Sequence, residues 1–387
     1  MSVVDSSYQV RLGFMPESQV IPDPDHPGLF RAGPRASAPY DDDWVEYHGC
    51  AATDVVDGLP DGLGLRTSGF DMVDLSSLDD VQQACDQVRR NGAVDDASAA
   101  AIRAALDGAV LPTTRGRSVR VLFVADEGFI MRTSGPNGLR LVGERSVGMN
   151  GHGGARSIHI DQDVYGTPLT QLMDGRAPSL FVHDSPDGRC DDASMFLLNM
   201  WIPLQQVVQP LVLADGRTID RRRHQLRYGL PTGSFLDRDD DMAINDIWTM
   251  LHDGGQEWYF DSGMDHRSAW VFNTLSVAHG AGTLPGEDAA ERCYLALEAA
   301  EDAVVRRDPD ALVAALGPLA GADVTLGATP ALRDALGQML AVVEDAVADP
   351  AGACGPSAAQ WVAASQDARG RVVRTSLELR LVVSLDD

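Results

Sequence analysis

From residue 117 to residue 284 the chain is a succession of short strand-like runs, and this pattern constrains the fold more than any other feature of the sequence. The runs are rich in β-branched and aromatic residues, and Gly, Pro, Asp and Asn separate them: SVRVLFVADE, GFIMRT, LRLVGE, SIHIDQ, SLFVHD, SMFLLNMWIPL, QPLVLAD, EWYFDS and WVFNTL. Many short strands with such turns are typical of sandwiches and barrels. We therefore predict a mainly β fold with helices, built as a double-stranded β-helix (jelly roll).

Helical patterns lie on both sides of these runs. The first 75 residues are rich in Pro, Gly and Asp and have no sustained period, which predicts irregular chain. Two helices are expected within 77–109, where Val81, Cys85 and Val88 recur at helical spacing. Residues 286–370 are rich in Ala and Leu with helical period, and a last strand, RVVRTSLELRLVVSLDD, follows them. The predicted parts are an irregular and helical segment (1–116), a jelly-roll core (117–285 with 371–387) and a helical insert (286–370).

Composition excludes several functions. The net charge of -26 repels phosphate backbones and anionic lipids, so neither nucleic acid nor a membrane is an expected partner. The 31 basic residues are all arginine, which excludes chemistry that needs a lysine amine, such as Schiff-base formation or a Walker phosphate loop. The five scattered cysteines include no CxxC pair. The chain starts without a basic region followed by an apolar one, and we expect a cytoplasmic protein.

Three residues form a candidate metal site. His159 and Asp161 alternate with Ile158 and Ile160 in a strand-like run, so both would lie on one face. Two His and one carboxylate on one side of a metal make the facial site of non-haem iron(II) enzymes, and His279 is placed to be the third ligand. The alternative is an ordinary polar strand face in which His159 and Asp161 bond each other or a loop.

The last strand carries a second candidate site. Arg374, Ser376, Glu378 and Arg380 alternate with apolar residues and share one face. A guanidinium grips a carboxylate through two parallel hydrogen bonds and a nearby hydroxyl adds a third, which suits the far carboxylate of a dicarboxylic cosubstrate. An exposed polar sheet face is the alternative. The order HxD, distal His, RxS is the order found in 2-oxoglutarate-dependent oxygenases.

With these motifs the chain resembles the 2-oxoglutarate/iron oxygenases similar to gibberellin desaturases and to the cephalosporin 7α-hydroxylase component. The resemblance covers roughly 120–284 and 371–383 and rests on the following stretches: GF at 128–129, HIDQD, LLNMWIPL, QPLVLAD, EWYF, WVFNT, His279 and RTSLELR. It implies Fe(II), 2-oxoglutarate and O2, with His159, Asp161 and His279 as iron ligands and catalytic centre. Arg374 and Ser376 would hold the cosubstrate. Hydroxylation, desaturation or ring closure of a small molecule in specialised metabolism would be the reaction.

Two departures from the family pattern stand out. Ile202 occupies the middle of the NxWxP stretch, where family members usually have an arginine. The helical insert separates His279 from the RxS strand, which makes Arg292 a competing cosubstrate anchor. Because the insert leaves the core after His279 and returns before Arg374, we predict that it covers the pocket mouth or pairs with a second subunit in a homodimer. A bundle on the outer sheet face is the alternative.

Some other residues and two other functions remain open. Asn199, on a predicted core strand, is a candidate contact for cosubstrate or substrate, and His152 lies in a glycine-rich loop just before the HxD strand. The basic run DRRRHQLRYG at 220–229 is interpreted as a solvated loop. A zinc-dependent hydrolase or isomerase could use the same three ligands, and a binding protein could retain the scaffold without activity.

Overall fold

The computed structural model describes residues 7–24, 27–33, 45–114, 117–125, 128–141, 148–161, 195–231, 244–322 and 327–386. The strands, in chain order, are β1 (Ser7–Phe14), β2 (Val20–Pro22), β3 (Phe30–Ala32), β4 (Glu46–Asp54), β5 (Phe70–Asp74), β6 (Val110–Pro112), β7 (Ser118–Val124), β8 (Ile130–Ser134), β9 (His159–Ile160), β10 (Met195–Pro203), β11 (Leu211–Ala214), β12 (Gln225–Pro231), β13 (Ile244–Met250), β14 (Trp258–Phe260), β15 (Ser268–Asn273), β16 (His279–Ala281) and β17 (Arg374–Asp386). The helices are α1 (Asp79–Asn91), α2 (Asp96–Leu106), α3 (Arg221–His224), α4 (Glu287–Arg306), α5 (Pro309–Leu316), α6 (Pro330–Ala348), α7 (Pro350–Ala353) and α8 (Ala358–Gly370). None of the helices described here is long and apolar enough to cross a lipid bilayer.

The strands form two sheets that face each other. The first has the order β1-β4-β14-β11-β16-β9-β13-β12-β3-β2, and the second has the order β5-β15-β10-β17-β7-β6, with β8 also paired to β17. An apolar cluster joins their inner faces, with Leu211 and Leu213 from the first sheet and Trp201, Trp270 and Phe272 from the second. The fold is mainly β with helices, and its two curled sheets are consistent with the predicted jelly roll.

The prediction of an irregular segment before residue 75 is wrong for the residues described. β1 to β4 belong to the first sheet and β5 to the second. In β1, Val10, Leu12 and Phe14 are buried at alternate positions, as a strand with one face on a core requires. The Pro- and Gly-rich stretches between these strands hide a period that lasts only a few residues. The two helices expected in 77–109 are confirmed as α1 and α2, which pack on the outer face of the second sheet.

Most of the predicted strand runs in the core are confirmed, with two differences. The LRLVGE run is not a strand at 139–141, and its remainder, like the SLFVHD run, lies outside the described residues. The basic run at 220–229 is not a solvated loop: it forms α3 and part of β12. Arg227 of that strand is buried because its guanidinium pairs with Asp23 at 2.9 Å.

The helical insert packs on the outer face of the first sheet. Leu297, Leu336 and Leu340 of its helices share one buried cluster with Val212 and Trp258 of the sheet. The helical periods predicted for this segment are confirmed. Leu297 of α4 is fully buried, whereas Leu295 of the same helix is 43% exposed. This packing is the bundle on the outer sheet face that was the alternative to a cover over the pocket mouth. The helices lie on the side of the sheet opposite its inner face. A homodimer through the insert stays a prediction.

Candidate active site

The candidate metal ligands lie on two neighbouring strands of the first sheet. β9 and β16 run antiparallel, and His159 and His279 are direct partners in their register. Ile158 and Ile160 belong to the outer cluster that the insert covers. Since side chains alternate along a strand, His159 and Asp161 are directed to the inner face.

Their side chains converge. His159 Nε2 lies 3.2 Å from Asp161 Oδ1, and His279 Nε2 lies 3.8 Å from Asp161 Oδ2. One potential ligand atom of each residue lies within 4.8 Å of the other two. In the part of the chain that the structure describes, this is the one group of at least three His, Cys, Asp or Glu side chains close enough to hold a metal ion.

Local hydrogen bonds fix the orientation of both imidazoles. His159 Nδ1 lies 2.9 Å from the carbonyl oxygen of Ser157, and His279 Nδ1 lies 3.0 Å from that of Val277. A carbonyl only accepts, so each Nδ1 donates its proton to the carbonyl, and Nε2 is the nitrogen that remains for a metal. Metal-binding histidines are oriented in this way, with the second nitrogen bonded to an acceptor.

The ionisation states suit a cation. The pKa of His279 is lowered to about 4, mainly by burial and also by the neighbouring His159, while Asp161 opposes the shift. Burial acts to raise the pKa of Asp161, but His279, His159 and Arg380 outweigh it and hold that pKa well below its usual range. At neutral pH the cluster therefore offers neutral His279 and an ionised carboxylate, which are the forms that bind metal.

Arg374 and Ser376 face the same interior from the second sheet. Arg374 is 4% exposed and Ser376 is fully buried. Arg374 Nε and Nη1 and Ser376 Oγ have no hydrogen-bond partner among the described residues. Burial lowers the pKa of Arg374 to about 10, so the guanidinium remains charged at neutral pH. A buried cation with free donors is costly unless an anion joins it.

Other contacts of Arg374 leave that charge uncompensated. The guanidinium carbon lies 5.4 Å from the centroid of the Trp201 ring. The nearby carboxylate of Glu378 is already paired with Arg132, whose Nε lies 2.6 Å from Glu378 Oε1. Arg132 also donates from Nη1 to the carbonyl of Gly153 at 2.8 Å. The sequence does not predict the Arg132–Glu378 pair, since nothing in it indicates that β8 pairs with β17.

Asn199, the predicted cosubstrate contact, is placed against a metal ligand. Its Nδ2 donates to Asp161 Oδ2. Arg380, the cross-strand partner of Asn199, directs Nη2 to the same oxygen at 3.9 Å. The strand alternation in the sequence already puts Arg380 on the face of Arg374, but it gives no signal of the contact with Asp161. A role for Asn199 in cosubstrate binding stays a prediction.

The remaining candidates do not belong to the cluster. Arg292 is exposed on α4 in the insert. Ile202 packs in the outer cluster between the second sheet and α1 and α2, so the side chain at this position does not face the interior. His152 is buried and its Nε2 lies 2.9 Å from the carbonyl oxygen of Gly148, as expected for a loop histidine with a satisfied ring.

The residues present fit iron and a dicarboxylic 2-oxo acid. Two neutral imidazole nitrogens and a carboxylate oxygen are the donor set of a facial iron(II) site. The free donors of Arg374 and the unpartnered hydroxyl of Ser376 match the far carboxylate of the acid. His159, Asp161 and His279 could hold the metal, and Arg374 and Ser376 could hold the acid.

Comparison with known proteins gives similar structures but no sequence relatives. No protein-family model and no curated protein matches the chain. One similar solved structure is described as "iron and alpha-ketoglutarate-dependent endoperoxidase NvfI", with 14% identity, a TM-score of 0.46 and 98% of both chains covered. The same enzyme "with different conformation" has 15% identity, a TM-score of 0.47 and 98% of both chains covered. The function is therefore argued from the site itself.

Proposed function

We propose that this protein is a non-haem iron, 2-oxoglutarate-dependent oxygenase that hydroxylates, desaturates or cyclises an unactivated C–H position of a small molecule. The observation that carries the proposal is a buried Arg374 and Ser376 on the inner face opposite the His159–Asp161–His279 cluster. Among the described residues, Arg374 Nε and Nη1 and Ser376 Oγ have no hydrogen-bond partner. A zinc hydrolase or isomerase would use the three ligands but would have no need of the second group.

The chain's own residues have separable tasks in this reaction. His159, Asp161 and His279 hold ferrous iron, with both imidazoles fixed by their Nδ1–H bonds. Arg374 and Ser376 would bind the far carboxylate of 2-oxoglutarate. Iron, 2-oxoglutarate and O2 supply the oxidation of the C–H bond, with succinate and carbon dioxide as coproducts. The buried surroundings exclude water and so limit side reactions.

The same proposal includes the type of reaction, the origin of the substrate and the location of the protein. The carboxylate ligand Asp161 favours oxygenation over halogenation, since the halogenases of this superfamily lack it. A substrate from specialised metabolism is proposed from the family resemblance. A cytoplasmic location is supported by Cys50, Cys85, Cys293 and Cys354, which are free thiols as in reducing compartments.

The test is succinate formation from 2-oxoglutarate with ferrous iron and air. We expect purified protein to form succinate, to stop when iron is chelated, and to bind 2-oxoglutarate without air with the visible charge-transfer absorption of an iron–2-oxo acid chelate. Zinc-supported hydrolysis with no such absorption would contradict the proposal and favour the hydrolase.

A further inference from the structure

Arg380 lies on the opposite side of the histidines from Arg374. The two arginines are six positions apart on one face of β17, about 20 Å at roughly 3.3 Å per residue. Arg374 lies beside Gly154 and Ala281: a Cβ added at Gly154 would be 3.7 Å from Arg374 Nη1 and 3.5 Å from Ala281 Cβ. Arg380 lies beside Asp161. In the antiparallel register of His159 with His279, Ala281 and Asp161 extend to opposite sides of the pair.

The surroundings of Arg380 keep its guanidinium at the site. Gly128, at a φ of 81°, lies so close that an added Cβ would be 2.9 Å from Arg380 Nη1. Only glycine takes this conformation at no cost and leaves that space. Arg380 Nε is buried and has no hydrogen-bond partner in the described parts of the chain. Asp161, 3.9 Å from Nη2, is the anion beside it.

If the proposed function holds, the charges of the loaded site leave Arg380 without an anion among the residues that the structure describes. Arg132 neutralises Glu378, and the far carboxylate of 2-oxoglutarate neutralises Arg374. The two positive charges of ferrous iron balance Asp161 and the 2-oxo acid carboxylate. Within the described parts of the chain, the positive charge of Arg380 then remains in a low-dielectric interior, where an unpaired ion is costly.

The charge of Arg380 lies on the opposite side of the histidines from Arg374, the residue proposed to bind the cosubstrate. Because 2-oxoglutarate would occupy the side of Arg374, the substrate would bind on the side of Asp161 and Arg380. We propose that Arg380 is a specificity-determining residue that binds a carboxylate group of the substrate. Iron binding to Asp161 weakens the pairing of Asp161 with Arg380, so the loaded protein binds the anion better than the metal-free protein.

The experiment uses the full chain without air, loaded with ferrous iron and saturating 2-oxoglutarate, and two probes of the same size, butyrate and butyramide. Perturbation of the visible absorption and calorimetry measure their binding. We expect butyrate to bind at least about tenfold more tightly than butyramide, the size of one charge-assisted contact. Arg380→Gln should abolish this preference, Arg380→Lys should retain part of it, and Arg292→Gln, on the exposed face of α4, should leave it unchanged.

Equal binding of the two probes to the wild-type protein would overturn the assignment without any variant. A preference that survives in Arg380→Gln would also overturn it, since butyrate would then be bound at the iron or elsewhere. Failure of the proposed function has a separate signature. In that case no charge-transfer absorption develops with 2-oxoglutarate, whereas normal absorption without a carboxylate preference contradicts only the role of Arg380.

Discussion

His159 and His279 are direct partners across β9 and β16, and each Nδ1 is bonded to the carbonyl two residues earlier in its own strand. The same local bond on two strands directs both Nε2 atoms to Asp161. The strand register and these bonds orient the candidate ligands without help from a metal. A site preorganised in this way binds with less loss of side-chain freedom.

The first prediction concerns the histidines. His159→Ala and His279→Ala should each lower ferrous-ion binding by about 100-fold or more, because each removes one of three ligands. His152→Ala is the control, since His152 is also buried but bonds Gly148 and does not belong to the cluster. Metal content after equilibrium dialysis measures the effect. Full iron binding in either ligand variant would contradict the site.

The second prediction concerns Asn199, whose amide donates to Asp161. Because outer hydrogen bonds orient a ligand carboxylate, Asn199→Ala should weaken iron binding by about 10- to 100-fold. At saturating iron, the affinity for 2-oxoglutarate should change little. Titrating the charge-transfer absorption with iron and with 2-oxoglutarate in turn measures the two affinities separately. A loss confined to 2-oxoglutarate affinity would assign Asn199 to the cosubstrate, as the sequence interpretation had it.

The third prediction compares two arginines. Arg374→Ala should weaken 2-oxoglutarate binding by about 10- to 100-fold, since it removes charge-assisted bonds to a buried carboxylate. Arg292→Ala should leave it unchanged, because Arg292 is exposed on α4. The 2-oxoglutarate dependence of succinate formation gives the measurement. The reverse ranking would move the anchor into the insert.

The sequence predicts the candidate site better than the surroundings that support it. Strand alternation alone predicts that His159 and Asp161 share one face of a strand, and that Arg374 and Ser376 share one face of another, since a period of two is a local property. It cannot predict that Asn199 and Arg380 are cross-strand partners meeting at one oxygen of Asp161, because register between distant strands depends on the whole sheet.

The same limit explains the errors in the fold prediction. The alternation of β1 extends over only eight residues, and the Pro, Gly and Asp content of the first 75 residues obscures it. From the sequence, Arg227 is predicted to be a solvated charge, because its partner Asp23 lies in a distant part of the chain. Helical segments such as α4 and α6 extend over many turns and carry a period that sequence analysis detects.

The fourth prediction concerns pH and Glu287, the first residue of α4. Burial raises its pKa from 4.5 to about 8, although the backbone N–H groups of Leu284 and Asn137 donate to it. Between these values the folded chain keeps a proton that the unfolded chain has lost. Glu287 therefore lowers the free energy of unfolding by about 1.4 kcal/mol per pH unit as the pH rises through this window, with no further change above it.

Glu287→Gln removes the titratable carboxyl at this position and leaves the other titratable groups of the protein in place. The difference in unfolding free energy, wild type minus variant, should fall steadily from pH 5 to pH 8. Denaturant unfolding at several pH values measures it. A constant difference across that range would show that Glu287 is ionised in the folded protein.

The last prediction tests whether the insert is part of the core. Leu297 and Leu295 lie on the same helix, but Leu297 is fully buried in the cluster shared with the first sheet and Leu295 is 43% exposed. Leu297→Ala should lower the free energy of unfolding by about 2–5 kcal/mol, because it removes apolar contacts and leaves a cavity. Leu295→Ala, the same substitution two residues away, should change it by less than about 1 kcal/mol. Replacing 286–370 with a short Gly-Ser linker should give aggregated protein, since the outer face of the sheet loses its cover. A well-folded deletion variant that binds iron, with both alanine variants near wild-type stability, would instead support a detachable cover.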